Sequence, residues 1–476
     1  KVYLGSSRIN KETLIRFNYD NHMEMFDAHS YQKGGRVLHM LRNYVGDDAF
    51  FESLKVYLTD NEFQTVEIHN LRLAFEKVTG EDLNWFFNQW FLSPGHPIIK
   101  VEKSYANGKL TVSIKQTQEG EDIPYAFEIP TDLQIVQANG LVMTKKIRLT
   151  QRTETFEISL TSEPLLVNFD TRKIILGVID QAIKKEEAIT LFQNATHFLD
   201  KVSAIRLLKS IEDSVSLDLI ELAMKDGFWS VRKSAIKATK KLAKERPEST
   251  LITLKTIASS DLKSNNRAAA VSAISKYFIE EVEMEFLVQR QSDLSYTVVS
   301  ACLDAINKKD PIKGLAVAKE LEKEDNAAIL ATVASIYATN GDPKKQAFFE
   351  HAISKTSGYG KYGLMNSYGD FLMKQNDEAV EKALPILIEN SKGDGVWYVR
   401  MAGVNSLIKM KSEKEKAIEQ LAADIAKTED VSEIEKLRKA KLYSETMKAK
   451  FITALEALKE EETNSNLKRM IEGALE

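Results

Sequence analysis

A single cysteine, Cys302, stands in the whole chain. That excludes an internal disulfide framework and a zinc site built from cysteines, and it leaves the compartment open. Proline and glycine are scarce as well, at 9 and 21 residues. Their scarcity predicts long helices and few irregular loops. No run of about 18 uncharged apolar residues occurs, which excludes a membrane-spanning helix. An excess of either charge is also missing: 65 basic residues face 69 acidic ones. So even a balance argues against a general nucleic-acid or polyanion binder. The sequence holds no Gly-rich phosphate loop, no Gly-x-Ser-x-Gly elbow, no Cys/His nucleophile pair and no His-Glu-x-x-His helix.

What is present is ordinary globular material. The chain has 476 residues, 43% hydrophobic and 28% charged. At roughly 150 residues per domain, about three domains are expected. It starts at Lys1, so the expectation is a processed or cut longer protein. A missing leader then says nothing about secretion, and cytoplasm and periplasm both stay open.

Three zones follow one another, with expected boundaries at 1–97, 98–180 and 185–476. Residues 1–97 read as helix after a short lead. Val37, Leu38, Leu41 and Val45 recur at helical spacing and Gly46 closes that helix. Asp47 is expected to cap the next, a third spans about 66–78, and Asp82 is expected to cap an aromatic helix ending at Trp90. Ser93-Pro94-Gly95-His96-Pro97 then breaks the pattern.

Residues 98–180 switch to a period of two. Asn107-Gly108 and Asn139-Gly140 each sit between alternating runs, a strong hairpin signal. Later strands are expected near 145–150, 154–160, 165–169 and 173–178. So many short strands predict a small β-sandwich.

Residues 185–476 return to helix and carry weak repetition. Phe228-Trp229-Ser230-Val231-Arg232-Lys233-Ser234-Ala235 resembles Val396-Trp397-Tyr398-Val399-Arg400-Met401-Ala402-Gly403. Weaker copies lie at residues 266–270 and 297–301. Ala235 to Ala270 is 35 residues and Ala270 to Ala301 is 31. That period suits paired helices stacked as a HEAT- or armadillo-type solenoid, with an irregular bundle as the alternative. The arginine after the valine is expected to tie neighbouring repeats together.

Possible metal ligands are densest at His22, Glu24, Asp27 and His29. On one helix the two histidines would share a face while the carboxylates pointed elsewhere, so no metal is expected. The basic run at 237–246 reads as a solvated helix face. The segment from Phe26 to Leu41, Phe-Asp-Ala-His-Ser-Tyr-Gln-Lys-Gly-Gly-Arg-Val-Leu-His-Met-Leu, stands out. It runs from a polar lead directly into a buried helix. Taken alone, Tyr31 reads as an aromatic at a helix start and Phe26 as a core aromatic. The paired Gly34-Gly35 would let something pack close to the backbone.

That segment resembles the Phe-Asp-x-x-x-Tyr-x-Lys-Gly-(Ala/Gly) signature of the aminopeptidase N-like zinc metallopeptidases, the gluzincin aminopeptidases. Val45-Gly46-Asp47-Asp48-Ala49-Phe50, Gly80-Glu81-Asp82-Leu83 with Phe87-Asn88-Gln89-Trp90, and Gly95-His96-Pro97 resemble further features of that family, in register. The close resemblance covers residues 20–105, and the domain order extends it loosely over the chain. It implies a multidomain α+β protein: the helical half of a thermolysin-like domain, a β-sandwich, then an all-α solenoid. It assigns Tyr31 the donation of its phenolic hydrogen to the oxyanion of the tetrahedral intermediate. Such a donor contributes about 3–4 kcal/mol. It places Phe26 at the substrate pocket, and makes Asp27 and Lys33 structural.

The family's zinc needs two histidines and a glutamate from a His-Glu-x-x-His helix and the helix after it. A Gly-x-Met-x-Asn loop holds the substrate's amine. Neither motif is in this sequence. The resemblance therefore implies a zinc aminopeptidase acting on peptides, of which this chain is the C-terminal part. Its partner would be the N-terminal half, and the chain alone is expected to bind no catalytic zinc and to be inactive. The alternative is a non-catalytic scaffold whose solenoid binds a peptide or protein.

Overall fold

The computed structural model describes residues 2–6, 10–19 and 22–476, and the side chains of Met23 and Glu24 lie outside that description. Two compact units divide the chain, Lys1–Lys241 and Leu242–Glu476.

In the first unit, α1 (Gly34–Val45), α2 (Asp47–Asp60), α3 (Ile68–Thr79) and α4 (Asn84–Trp90) follow the expected order. Their starts differ in detail. Asp47 is the first residue of α2 rather than its cap, and its carboxylate instead accepts from the Arg42 guanidinium at 2.8 and 2.7 Å. The α3 start is fixed reciprocally by Glu67 and Asn70. Asp82 accepts from the Asn84 N–H at 2.8 Å, so the aromatic helix begins at Asn84.

The sandwich is built from β1 (Ile98–Ala106), β2 (Lys109–Gln116), β3 (Ile129–Gln137), β4 (Val142–Leu149), β5 (Thr153–Ser159), β6 (Pro164–Phe169) and β7 (Val178–Gln181). One sheet has the order β5-β2-β1-β7, the other β4-β3-β6. Both Asn-Gly pairs form hairpin turns, and Asn107 and Gly108 take positive φ as a two-residue turn requires. Leu110, Val112 and Ile114 point into the core at every second position of β2, which is why the alternation was readable.

One expected strand is displaced. Residues 173–177 form no strand, and β7 begins only at Val178, the last residue of the expected range; the Asp170 carboxylate accepts from the N–H groups of Ile174 and Ile175 at 3.0 and 3.2 Å. Ile174, Ile175 and Leu176 are buried as a loop instead, and pairing resumes only at β7. An apolar run shows burial, and burial alone does not distinguish strand from loop.

A continuous apolar core runs from Tyr3 through α1–α4 into both sheets. The Gln89 amide clamps α4 to the chain entering β3: it donates to the Glu128 carbonyl and accepts from the Glu128 N–H, each at 2.8 Å. Beside it Trp90 lies on Phe127 at 4.9 Å between ring centroids. These contacts fix the helical segment to the sandwich. After β7, α5 (Lys185–Gln193) opens the helical region, which continues in the first unit through Trp229–Lys237.

The second unit is all helix. Helix Ala327–Asn340 packs on Gly358–Leu372, which packs on Trp397–Lys427, so alternate helices form neighbours across the stretch that showed no sequence copy. A Cβ on Gly403 would strike Ser391, and the glycine lets these two helices approach closely. The repeated arginines do join successive helix pairs. Arg267 donates to the Asp261 carbonyl at 2.8 Å and to the Asp293 carboxylate at 2.7 and 2.8 Å. Arg400 repeats this with the Asp394 carbonyl and the Glu462 carboxylate. Asp293 and Glu462 in turn cap the following turns, accepting from Ser295 and Asn464 N–H groups.

Helices Trp397–Lys427 and Val431–Glu461 are 31 residues each and form an antiparallel hairpin. No residue between Met410 and Ser444 is buried, and Lys414 is the point at which this stretch still reaches back, to the Asp377 carboxylate. No helix among the described residues is long and apolar enough to cross a membrane.

Candidate active-site turn

The chain enters α1 through a π-helical turn, His29–Lys33. Here the Lys33 N–H reaches back five residues to the Ala28 carbonyl at 3.0 Å. Such turns are rare and recur at functional sites. His29 and Lys33, four residues apart, face inward and are buried, while Tyr31 between them faces out and is 59% exposed.

Asp27 starts the turn. Its carboxylate accepts from the His29 and Ser30 N–H groups, each at 3.0 Å. From the other side Arg16 grips both its oxygens at 2.8 and 3.1 Å and also reaches Glu12 at 2.8 Å. Burial alone would raise the Asp27 pKa; the Arg16 bonds, the Ser30 N–H and the nearby positive charge outweigh it and hold it at about 2. Nothing in the sequence signals the Arg16 brace, because no periodicity links residues eleven apart in an irregular lead.

Below the turn, His29 meets the Tyr3 ring edge-on at 5.2 Å, and its Nδ1 lies 3.4 Å from Asp27. Its Nε2 is buried with no partner among the described residues. Tyr3 donates to the Gly95 carbonyl at 3.0 Å and stands 5.6 Å from the His96 ring. Burial, with the charge of Lys33 beside it, pushes His96 down to about 4. A histidine held below its usual 6.5 stabilises the fold above that value and loses the contribution as pH falls toward 4. The unit Lys1–Lys241 should therefore lose stability across that window. Urea midpoints at about pH 7 and about pH 4 will show it, and His96→Gln should flatten the difference.

The structure brings Tyr31 and Phe26 together, with ring centroids 6.1 Å apart. Phe26 is 63% exposed, so it is not the core aromatic its residue type predicts. Phe17, Phe51, Leu58, Phe63 and Leu73 of the same segment are exposed too. The paired glycines split in role. Gly34 packs near Leu14, whereas Gly35 faces open space.

Among the described residues, His22 joins no group of possible metal ligands with Asp27 and His29. His22 lies in a separate short turn, His22–Met25, and is exposed, and the Glu24 side chain falls outside the described residues. Among the described residues, Glu12, Asp27 and His29 do lie within ligand distance of one another. Arg16 already bonds both of those carboxylates. This set does not fit zinc, which would have to displace the guanidinium.

Compared with known families, residues 6–90 match the Peptidase family M1 domain. That segment is similar to peptidase family M1. The chain is 35% identical over 109 residues to aminopeptidase N of Lactococcus lactis subsp. lactis, covering 22% of this chain and 13% of that protein. It is 33% identical over 92 residues to tricorn protease-interacting factor F2 of Thermoplasma acidophilum, covering 19% and 12%. The chain thus aligns with only about an eighth of the length of these relatives. Beyond the M1 segment the fold itself is similar to a crystal structure of Legionella pneumophila aminopeptidase A in complex with aspartic acid. The TM-score is 0.60 at 15% identity, over 99% of this chain and 59% of that one.

Proposed function

We propose that this chain is part of a zinc-dependent aminopeptidase that removes N-terminal residues from peptides, and that it supplies the oxyanion donor. The observation that carries this is Tyr31: an exposed phenol on a braced π-turn, inside the segment that matches the Peptidase family M1 domain. The Tyr31 hydroxyl donates to the oxygen that gains charge as the peptide carbonyl becomes tetrahedral. Its preorganisation matters because a fixed donor needs no rearrangement when the charge appears. Phe26 offers an apolar surface beside it for a substrate side chain. Asp27, with Arg16, holds the turn.

Zinc polarises that carbonyl in this family. Glu12 and Asp27 are occupied by Arg16, so the metal and the loop that grips the substrate amine are assigned to a further stretch of the same protein. The exposed aromatic and aliphatic residues of α2, α3 and the lead are the surface for that stretch. By this reading the present chain alone is inactive.

Sequencing the coding DNA on the 5′ side of the Lys1 codon tests the proposal. A His-Glu-x-x-His motif with a glutamate about 20 residues later supports it. Hydrolysis of an aminoacyl anilide by the protein carrying that stretch, with zinc bound, completes the support. A preceding region without those ligands overturns it and leaves a binding scaffold.

A further inference from the structure

Lysine is among the residues least often fully buried, yet Lys33 is 0% exposed. It sits two residues after Tyr31 on the same turn and on the opposite side. Its Nζ donates to the Ser93 carbonyl at 3.1 Å and lies 5.9 Å from the centre of the Tyr3 ring. Among the described residues, no carboxylate pairs with it.

The groups around the amine give it no counter-charge. From the lead comes Tyr3, whose phenol burial holds in its neutral form. From the loop after α4 come the Ser93 carbonyl and His96, which burial and Lys33 keep neutral at pH 7. On its own turn stands His29, depressed by burial. The nearest acids, Asp27 and Glu12, are engaged by Arg16. An uncompensated buried cation destabilises a fold, and a methionine of similar length would remove that cost.

We propose that Lys33 is a positioning residue for Tyr31: its amine, anchored on the Ser93 carbonyl, fixes the turn that aims the phenol. The role in catalysis rests on the reading of Tyr31 as oxyanion donor. The coupling between the two side chains stands on geometry alone. Burial brings the Lys33 amine down to about 8. The anchor therefore changes charge in mildly alkaline solution, and the Tyr31 ring follows that change.

The full chain with 4-fluorophenylalanine in place of Tyr31 tests this, because that ring carries no ionisable group of its own. Its fluorine resonance should inflect near pH 8 in the parent and show no such inflection in Lys33→Met. Lysine carbon resonances in the unmodified chain should include two that titrate near 8 instead of the usual 10.5, Lys33 and the half-buried Lys103, and Lys33→Met should remove one of them. The stability sign is also fixed. A lysine depressed in the folded state destabilises below 8, and the cost fades as pH rises toward 10.5. Lys33→Met should therefore melt a few degrees higher than the parent at about pH 7, with the gap closing toward about pH 10. A ring resonance without the inflection, or an inflection that persists in Lys33→Met, overturns the coupling. If Lys33→Met does not fold, a parent in which only one lysine titrates near 8, and that one is lost in Lys103→Met, overturns it equally. Failure of the aminopeptidase reading would appear separately, as no hydrolysis by the zinc-bearing protein, and leaves these readouts on the chain itself unmoved.

Discussion

Tyr31→Phe should lower kcat of the zinc-bearing protein on an aminoacyl anilide by about 10²–10³-fold, which is about 2.7–4 kcal/mol of transition-state stabilisation. KM should barely move. The oxyanion exists only as the reaction proceeds, so a donor aimed at it contributes nothing to the bound ground state. The substitution is clean because the ring is exposed and makes no hydrogen bond among the described residues; Asp27, His29 and Lys33 hold the turn from the other side. Phe26→Ala should show the opposite split, changing KM with the substrate's side chain. A Tyr31→Phe enzyme of undiminished kcat would remove Tyr31 from the reaction.

Glu462→Ala should destabilise the unit Leu242–Glu476 by about 3–5 kcal/mol, the cost of leaving a buried charge without its partner. Its carboxylate takes two Arg400 N–H bonds at 2.8 and 2.6 Å and the Asn464 N–H at 2.6 Å. Arg400 side-chain exposure is 12%, so water would compensate poorly for the loss. Peptide-resolved hydrogen exchange in urea over residues 397–410 reads the effect within this unit. Arg400→Met with Glu462→Ala should recover part of the loss, since no lone charge then remains. A single variant within about 0.5 kcal/mol of the parent would reduce the pair to an ordinary surface contact.

Much of this was legible in advance, for local reasons. Gly46 and Asn107-Gly108 mark ends and turns through backbone geometry that few other residues adopt. The period-two burial of β2 follows from alternation. The arginine in Trp-x-Val-Arg was readable as a link because its place recurs in the sequence. What escaped depended on contacts distant in sequence. Residues 173–178 have strand-like composition, but the Asp170 carboxylate and the α1 surface claim their backbone and side chains. His22 and His29 fall in different turns because the π-register at His29–Lys33 interrupts any single helix. Phe26 has the composition of a core residue and the exposure of a contact surface. The Arg16 brace and the burial of Lys33 arise from an irregular lead and a loop that no periodicity describes.

The hairpin of Trp397–Lys427 and Val431–Glu461 has a practical consequence. Beyond Met410 its first helix continues for 17 residues, about 25 Å at the helical rise. Its tip, Thr428 and Glu429, joins two helices; the Thr428 hydroxyl donates to the Asp424 carbonyl at 2.8 Å, and Asp430 caps the second helix through the Ser432 N–H at 2.8 Å. A reporter domain or affinity handle spliced between Thr428 and Glu429 would leave that cap intact. It would extend a part of the molecule that supports no other core. This makes the tip the natural seam at which to label, tether or divide the chain without disturbing the Tyr31 turn.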